Sequence, residues 1–192
     1  MQRTLVRSLT LLLLLPGIAA AHTGVGTTTG FIHGFAHPLG GVDHLLAMLA
    51  VGLWAAQIGG RAVWTVPATF VAVMILGGAL GFSGLAVPYI EEGILLSVLV
   101  LGLLVAASFR FSLPASMLTV ALFAVFHGHA HGAEMPLAAG AAAYTAGFAL
   151  ATALLHFAGI GFGLLARKIN IEKATRVAGS AIALGGLYLA IA

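Results

Sequence analysis

Residues 37–58 read HPLGGVDHLLAMLAVGLWAAQI, with His37, Asp43 and His44 at the head of a long apolar run. A helix rises about 1.5 Å per residue and a bilayer core is about 30 Å thick, so a run of ~20 apolar residues crosses it. Residues 40–58 meet that requirement, and Asp43 and His44 fall inside it. Ionisable groups within a span are costly unless partnered, which makes them a functional signal.

The rest of the chain has the same character. Of its 192 residues 61% are hydrophobic and only 7% charged, with 26 glycines, and its mean hydropathy is +1.13. Soluble domains carry far more charge, so the chain is predicted to be an all-α integral membrane protein. Further spans are predicted at 62–80, 94–109, 113–126, 137–165 and 174–192, completing a six-transmembrane-helix bundle. The fourth is short unless it continues into the following His-Gly segment. The fifth is long enough to tilt or break around Gly159 and Gly161.

Before these spans, Arg3 and Arg7 precede the apolar stretch Leu9 to Leu15, and Ala19-Ala20-Ala21 offers an A-x-A cleavage site. This is the pattern of a cleavable signal peptide over residues 1–21, with 22–192 as a single transmembrane domain beginning at His22. Such export places the mature N-terminus on the periplasmic side of a bacterial inner membrane. Arg61, Arg110, Arg167, Lys168, Lys173 and Arg176 then fall in cytoplasmic links, as the positive-inside rule requires. A formal charge of +3 spread without a basic stripe excludes a nucleic-acid role. With no cysteine, any metal must be held by nitrogen, oxygen or thioether ligands.

Seven of the eight histidines fall in three places: His22, the set His33, His37 and His44, and the triplet His127, His129 and His131. Proline suits the first helical position, so His37-Pro38 reads as a helix start. A helix continuing from it sets His37 and His44 two turns apart on nearly one face, with Met48 one turn deeper and Asp43 at the side. Asp43 can reach an ion directly or orient an imidazole. His33 reads equally as a ligand and as part of a Gly-rich loop.

In the second motif, residues 126–136, FHGHAHGAEMP, a helix puts His127, His131 and Glu134 on one face and turns His129 away. If Gly128 and Gly132 instead break the helix, the freed carbonyls face an ion path. Met135-Pro136 reads as the start of the fifth span. His129 reads as a bystander, and His156, deep in the fifth span, as hydrogen-bonded packing more than as an exit ligand. Glu91 and Glu92 open the third span, where a helix N-terminus stabilises acids and cations are also attracted. Glycines spaced by four, Gly77 with Gly81, Gly128 with Gly132 and Gly159 with Gly163, predict close helix packing.

The segments His37-Pro38-Leu39-Gly40-Gly41-Val42-Asp43-His44 and Phe126-His127-Gly128 with Ala130-His131-Gly132-Ala133-Glu134 resemble the signature motifs of the HupE/UreJ family. The resemblance covers essentially the mature chain. It implies a secondary permease for nickel, and next for cobalt, serving a metalloenzyme-maturation system. His37, Asp43, His44, His127, His131 and Glu134 are carried over as the important polar positions, and no role is carried to His129.

Imidazole with carboxylate suits nickel, cobalt, zinc or copper better than magnesium or calcium. The metal is expected as cargo, Ni2+ or Co2+, with no tightly bound cofactor. If cleavage exposes His22, its α-amine and imidazole can chelate together as a capture point. The chain has no P-loop, and inward movement of a divalent ion through about 100 mV yields about 4.6 kcal/mol, so a potential-driven facilitator suffices. The competing readings are an intramembrane zinc-dependent hydrolase with Asp43 or Glu134 as base, and a metal-sensing or accessory subunit.

Overall fold

The computed structural model describes residues 30–135 and 140–192. The expected signal peptide and His22 lie outside them. The described residues form seven helices: α1 Gly30–Gly40, α2 Val42–Ile58, α3 Ala62–Phe82, α4 Ile90–Ala107, α5 Leu113–Ala133, α6 Ala141–Lys168 and α7 Glu172–Ile191. α3 to α7 are each long and apolar enough to cross a membrane, and α1 with α2, bent by 83° at their junction, meet the same requirement only as a pair, with the form of a broken span or a re-entrant loop.

Large apolar side chains cover the outside, among them Leu76, Leu118, Val177, Leu184 and Ile191. In water such a surface would be untenable, whereas in lipid it is the solvated face. The buried interior combines aliphatic side chains such as Val98 and Leu101 with small and aromatic ones, among them Ala47, Ala50, Trp54 and Phe70. Lipid supplies no hydrophobic drive for helices to meet, so close approach of backbones must hold them together.

Glycine makes that approach possible where α3 crosses α5. A Cβ on Gly128 would overlap the Met74 carbonyl, and one on Gly132 the Gly78 carbonyl. From the other side Gly77 and Gly81 admit the Val125 and His129 carbonyls, so each glycine pair read from the sequence lies at this crossing. Gly159 serves α6 in the same way, its bare face meeting the Leu49 carbonyl of α2.

Three expectations need correction. The helix does not run on from His37 to His44: Pro38 lies inside α1, and the chain turns at Gly41, whose φ of −95° and ψ of 120° are extended. The fifth span does not break at Gly159 or Gly161: α6 is continuous through both, Gly159 admitting a neighbouring backbone and Gly161 facing open space. It begins at Ala141, with Met135 ahead of it outside any helix. The fourth span, by contrast, does continue through the His-Gly segment to Ala133, so its glycines pack rather than break.

Polar bonds tie the three basic links into one end of the bundle. Gln57 Nε2 donates to the Val105 carbonyl and to Thr175 Oγ1, both at 3.0 Å. Trp54 Nε1 donates to the Phe109 carbonyl at 2.8 Å, and Arg176 Nε to the Ala106 carbonyl at 3.0 Å. Every lysine and arginine of the described residues lies at or near this end. At the opposite end stand Asp43, Glu91, Glu92 and Glu134.

Candidate metal-binding site

The bend at Gly41 determines the site. In a straight helix His37 and His44 would be separated by about 10 Å of rise. Bent, α1 and α2 bring both rings onto one imidazole of α5: the His37 and His131 ring centroids are 4.6 Å apart, and those of His44 and His131 4.3 Å. His44 also meets His127 at 4.8 Å, edge to face. At the bend glycine supplies room rather than φ. A Cβ on Gly41 would stand 2.8 Å from Asp43 Oδ1 and 3.1 Å from His44 Nδ1.

These contacts make a line of imidazoles leading from the surface inward. Glu134, just past the end of α5, is the exposed member, and His37 Nε2 donates to its Oε2 at 3.2 Å. His131 is buried and His127 fully so. One ligand atom from each of His37, His131 and Glu134 lies within 4.8 Å of the others. Donors about 2.1 Å from an ion stand roughly 3.4 Å apart in a tetrahedron, so small shifts of side-chain ends close this trio on a cation.

Hydrogen bonding sets which ring nitrogens face the shared space. His44 Nδ1 donates to Asp43 Oδ1 at 2.8 Å, and the same oxygen accepts the His44 backbone N–H at 2.7 Å. This leaves the His44 Nε2 lone pair available. Ser97 of α4 donates to the Ile94 carbonyl at 2.6 Å and stands 2.8 Å from His127 Nε2. Both contacts are satisfied when the Ser97 oxygen accepts the Nε2–H, which leaves the His127 Nδ1 lone pair available.

His44 Nε2, His127 Nδ1 and both nitrogens of His131 are buried with no hydrogen-bond partner among the described residues. Each unmatched buried polar atom costs about 1–3 kcal/mol. Neutral imidazole keeps one lone pair, so the cluster offers three, one each from His44, His127 and His131, a donor set suited to a borderline cation, with Asp43 and Ser97 holding the rings as metal-site carboxylates and hydroxyls do.

Of the residues expected at the site, His37, Asp43, His44, His127, His131 and Glu134 are brought together. His33 is placed at the outer edge, one turn from His37 with ring centroids 6.5 Å apart. His129 turns away, its Nε2 donating to the Leu85 carbonyl at 2.7 Å. Met48 lies in the apolar core. His156 departs from expectation: it is fully buried, yet neither nitrogen has a partner among the described residues.

Sequence reading missed Ser97, Tyr144 and Phe148. Phe148 lies 3.9 Å from His131, and Tyr144 6.2 Å from His37, between ring centroids. Ser97 is the one polar residue inside the run of α4 after its opening acids, which was the available signal. Beside His131 an apolar crevice of about 430 Å³ opens between α3, α5 and α6.

The family model described as HupE / UreJ protein matches residues 10–189. The chain is 47% identical over 179 residues to "Protein HupE" of Rhizobium leguminosarum bv. viciae, covering 93% of each chain. No solved structure matches it.

Proposed function

This chain belongs to the HupE/UreJ family, and on that premise we propose that it is a secondary permease taking up a divalent transition-metal cation, nickel first and cobalt next. The observation that carries the reading is the convergence of His37 and His44 on His131, with lone pairs of the cluster left unpartnered.

The ion is first attracted by Glu134, whose carboxylate stands at the exposed end of the line. His37 and His131 join Glu134 in its coordination shell, displacing water. It then exchanges toward His44 and His127, whose Nε2 and Nδ1 lone pairs are presented by Asp43 and Ser97. Sharing successive ligands between adjacent stations keeps each step shallow, so binding does not become trapping. Where the mature chain starts at His22, the terminal amine and imidazole add a capture point ahead of Glu134.

The sorting of charge supports the direction. Lysines and arginines gather at one end of the bundle, which the positive-inside rule assigns to the cytoplasm of a bacterial inner membrane, and the histidine cluster then opens outside. A membrane potential of about 100 mV supplies about 4.6 kcal/mol to a divalent ion moving inward. A hydrolase would need, besides three ligands around one zinc, an open position beside a base; the succession of imidazoles inward from the His37, His131 and Glu134 trio to His44 and His127 favours passage.

The test is metal entry into proteoliposomes, comparing the unmodified protein with H44A. Entry of Ni2+ that H44A abolishes is the expected result. Absence of entry for Ni2+, Co2+ and Zn2+ alike would overturn the reading.

A further inference from the structure

The wall that α6 lends to the histidine cluster continues past it. Tyr144, Phe148, Thr152 and His156 recur at every fourth residue and so share one face of the helix. Tyr144 and Phe148 flank His37 and His131. One turn on, Thr152 Oγ1 lies 3.7 Å from Met74 Sδ of α3, both groups buried. One turn further, His156 meets Phe70 edge to face at 5.2 Å, and Phe70 also meets the His127 ring, at 5.7 Å. The series of rings that begins at His37, beside Glu134, therefore ends on an imidazole, separated from the cluster by a single phenyl group.

That imidazole is not explained by packing. Neutral imidazole has one donor and one acceptor nitrogen, and both of those on His156 are buried with no partner among the described residues. An apolar side chain at this position would strand neither. His156 also backs a second crevice, of about 510 Å³, otherwise walled by apolar residues such as Trp64, Val71 and Phe157. A polar ring in such surroundings is suited to a ligand that supplies its own charge and hydration.

We propose that His156 is a second, inward station for a borderline-soft divalent cation, with the Met74 thioether and the Thr152 hydroxyl at its approach. Imidazole with thioether selects nickel, cobalt or copper over the hard cations. The station deepens the permease reading above and rests on it for its place in a route, but its metal occupancy is measured separately.

The protein in lipid nanodiscs is equilibrated with Ni2+, and bound metal per chain is counted for the unmodified protein, H156F and H131A. The same proteins in proteoliposomes report flux. H156F is expected to bind one ion fewer than the unmodified protein. Its maximal flux is expected to fall about tenfold while the half-saturating outside concentration stays within about twofold, because capture precedes this station. H131A is expected to raise the half-saturating concentration instead.

If H156F does not fold, H156Q, which keeps polarity but is a poor ligand, replaces it. Equal metal counts overturn the station, and a lost ion with unchanged flux overturns its place on the route. Absence of flux in the unmodified protein overturns the permease reading, and the metal count then decides the station by itself.

Discussion

The Ser97 hydroxyl oxygen lies 2.8 Å from His127 Nε2 while its proton is committed to the Ile94 carbonyl at 2.6 Å. A side chain with no direct place in a metal shell thereby determines which nitrogen of a fully buried histidine is free to bind. Removing such an orienting partner costs about 10–100-fold in metal affinity. S97A is expected to raise the half-saturating Ni2+ concentration by that order, and S97T, which keeps the hydroxyl, to restore most of it. Initial rates in proteoliposomes measure both. Equal rates for S97A and the unmodified protein would remove the role.

Glu134 is the exposed end of the line and His37 donates to it. E134Q keeps an acceptor and removes the charge. It is expected to weaken capture about tenfold with maximal flux retained, since the inner imidazoles are untouched. A fall in maximal flux at unchanged half-saturation would place Glu134 elsewhere on the route.

Gly41 and Gly40 make a matched pair. A Cβ at Gly41 enters the Asp43 and His44 contact, whereas one at Gly40 meets nothing within 4 Å. G41A is therefore expected to abolish most uptake while the protein still inserts and purifies, and G40A to behave like the unmodified protein. Uptake assays on both, with size-exclusion profiles as the folding control, decide the matter.

Packing of α3 on α5 gives a stability prediction. G128A and G132A drive a methyl group into the Met74 and Gly78 carbonyls, an overpacking expected to cost about 1–3 kcal/mol each. G161A, with nothing within 4 Å of its Cβ, is expected to be neutral or slightly stabilising. Thermal unfolding in detergent compares the three. A G128A protein as stable as G161A would contradict the close crossing.

Protons and metal compete for the same imidazole lone pairs. Metal ligation requires the neutral ring, so protonation of an imidazole displaces the ion and binding weakens as the outside is acidified. Uptake at a clamped membrane potential is expected to decline below about pH 6. A rate that stays flat down to about pH 5 would argue against capture by histidine.

Much of this protein was legible in the order of its residues. Apolar runs of bilayer length announced the spans, because a helix in lipid must be long and apolar whatever surrounds it. The spacing of His127, His131 and Glu134 anticipated their shared face, because α5 is regular through Ala133. Glycines four apart anticipated close crossings for the same reason.

Tertiary structure decided the rest. The 83° turn at Gly41 could not be read from helical periodicity, since periodicity describes a helix that continues and says nothing of where it stops. That turn places His37 against His131, 94 positions away in the chain, rather than above His44 on one face. The role of Ser97 and the stranded nitrogens of His156 belong to the same class, because a hydrogen bond, or the lack of one, depends on what a neighbouring helix presents. The sequence by itself determined which residues enter the membrane and which of them carry imidazole; only packing determined which lone pairs converge on one another.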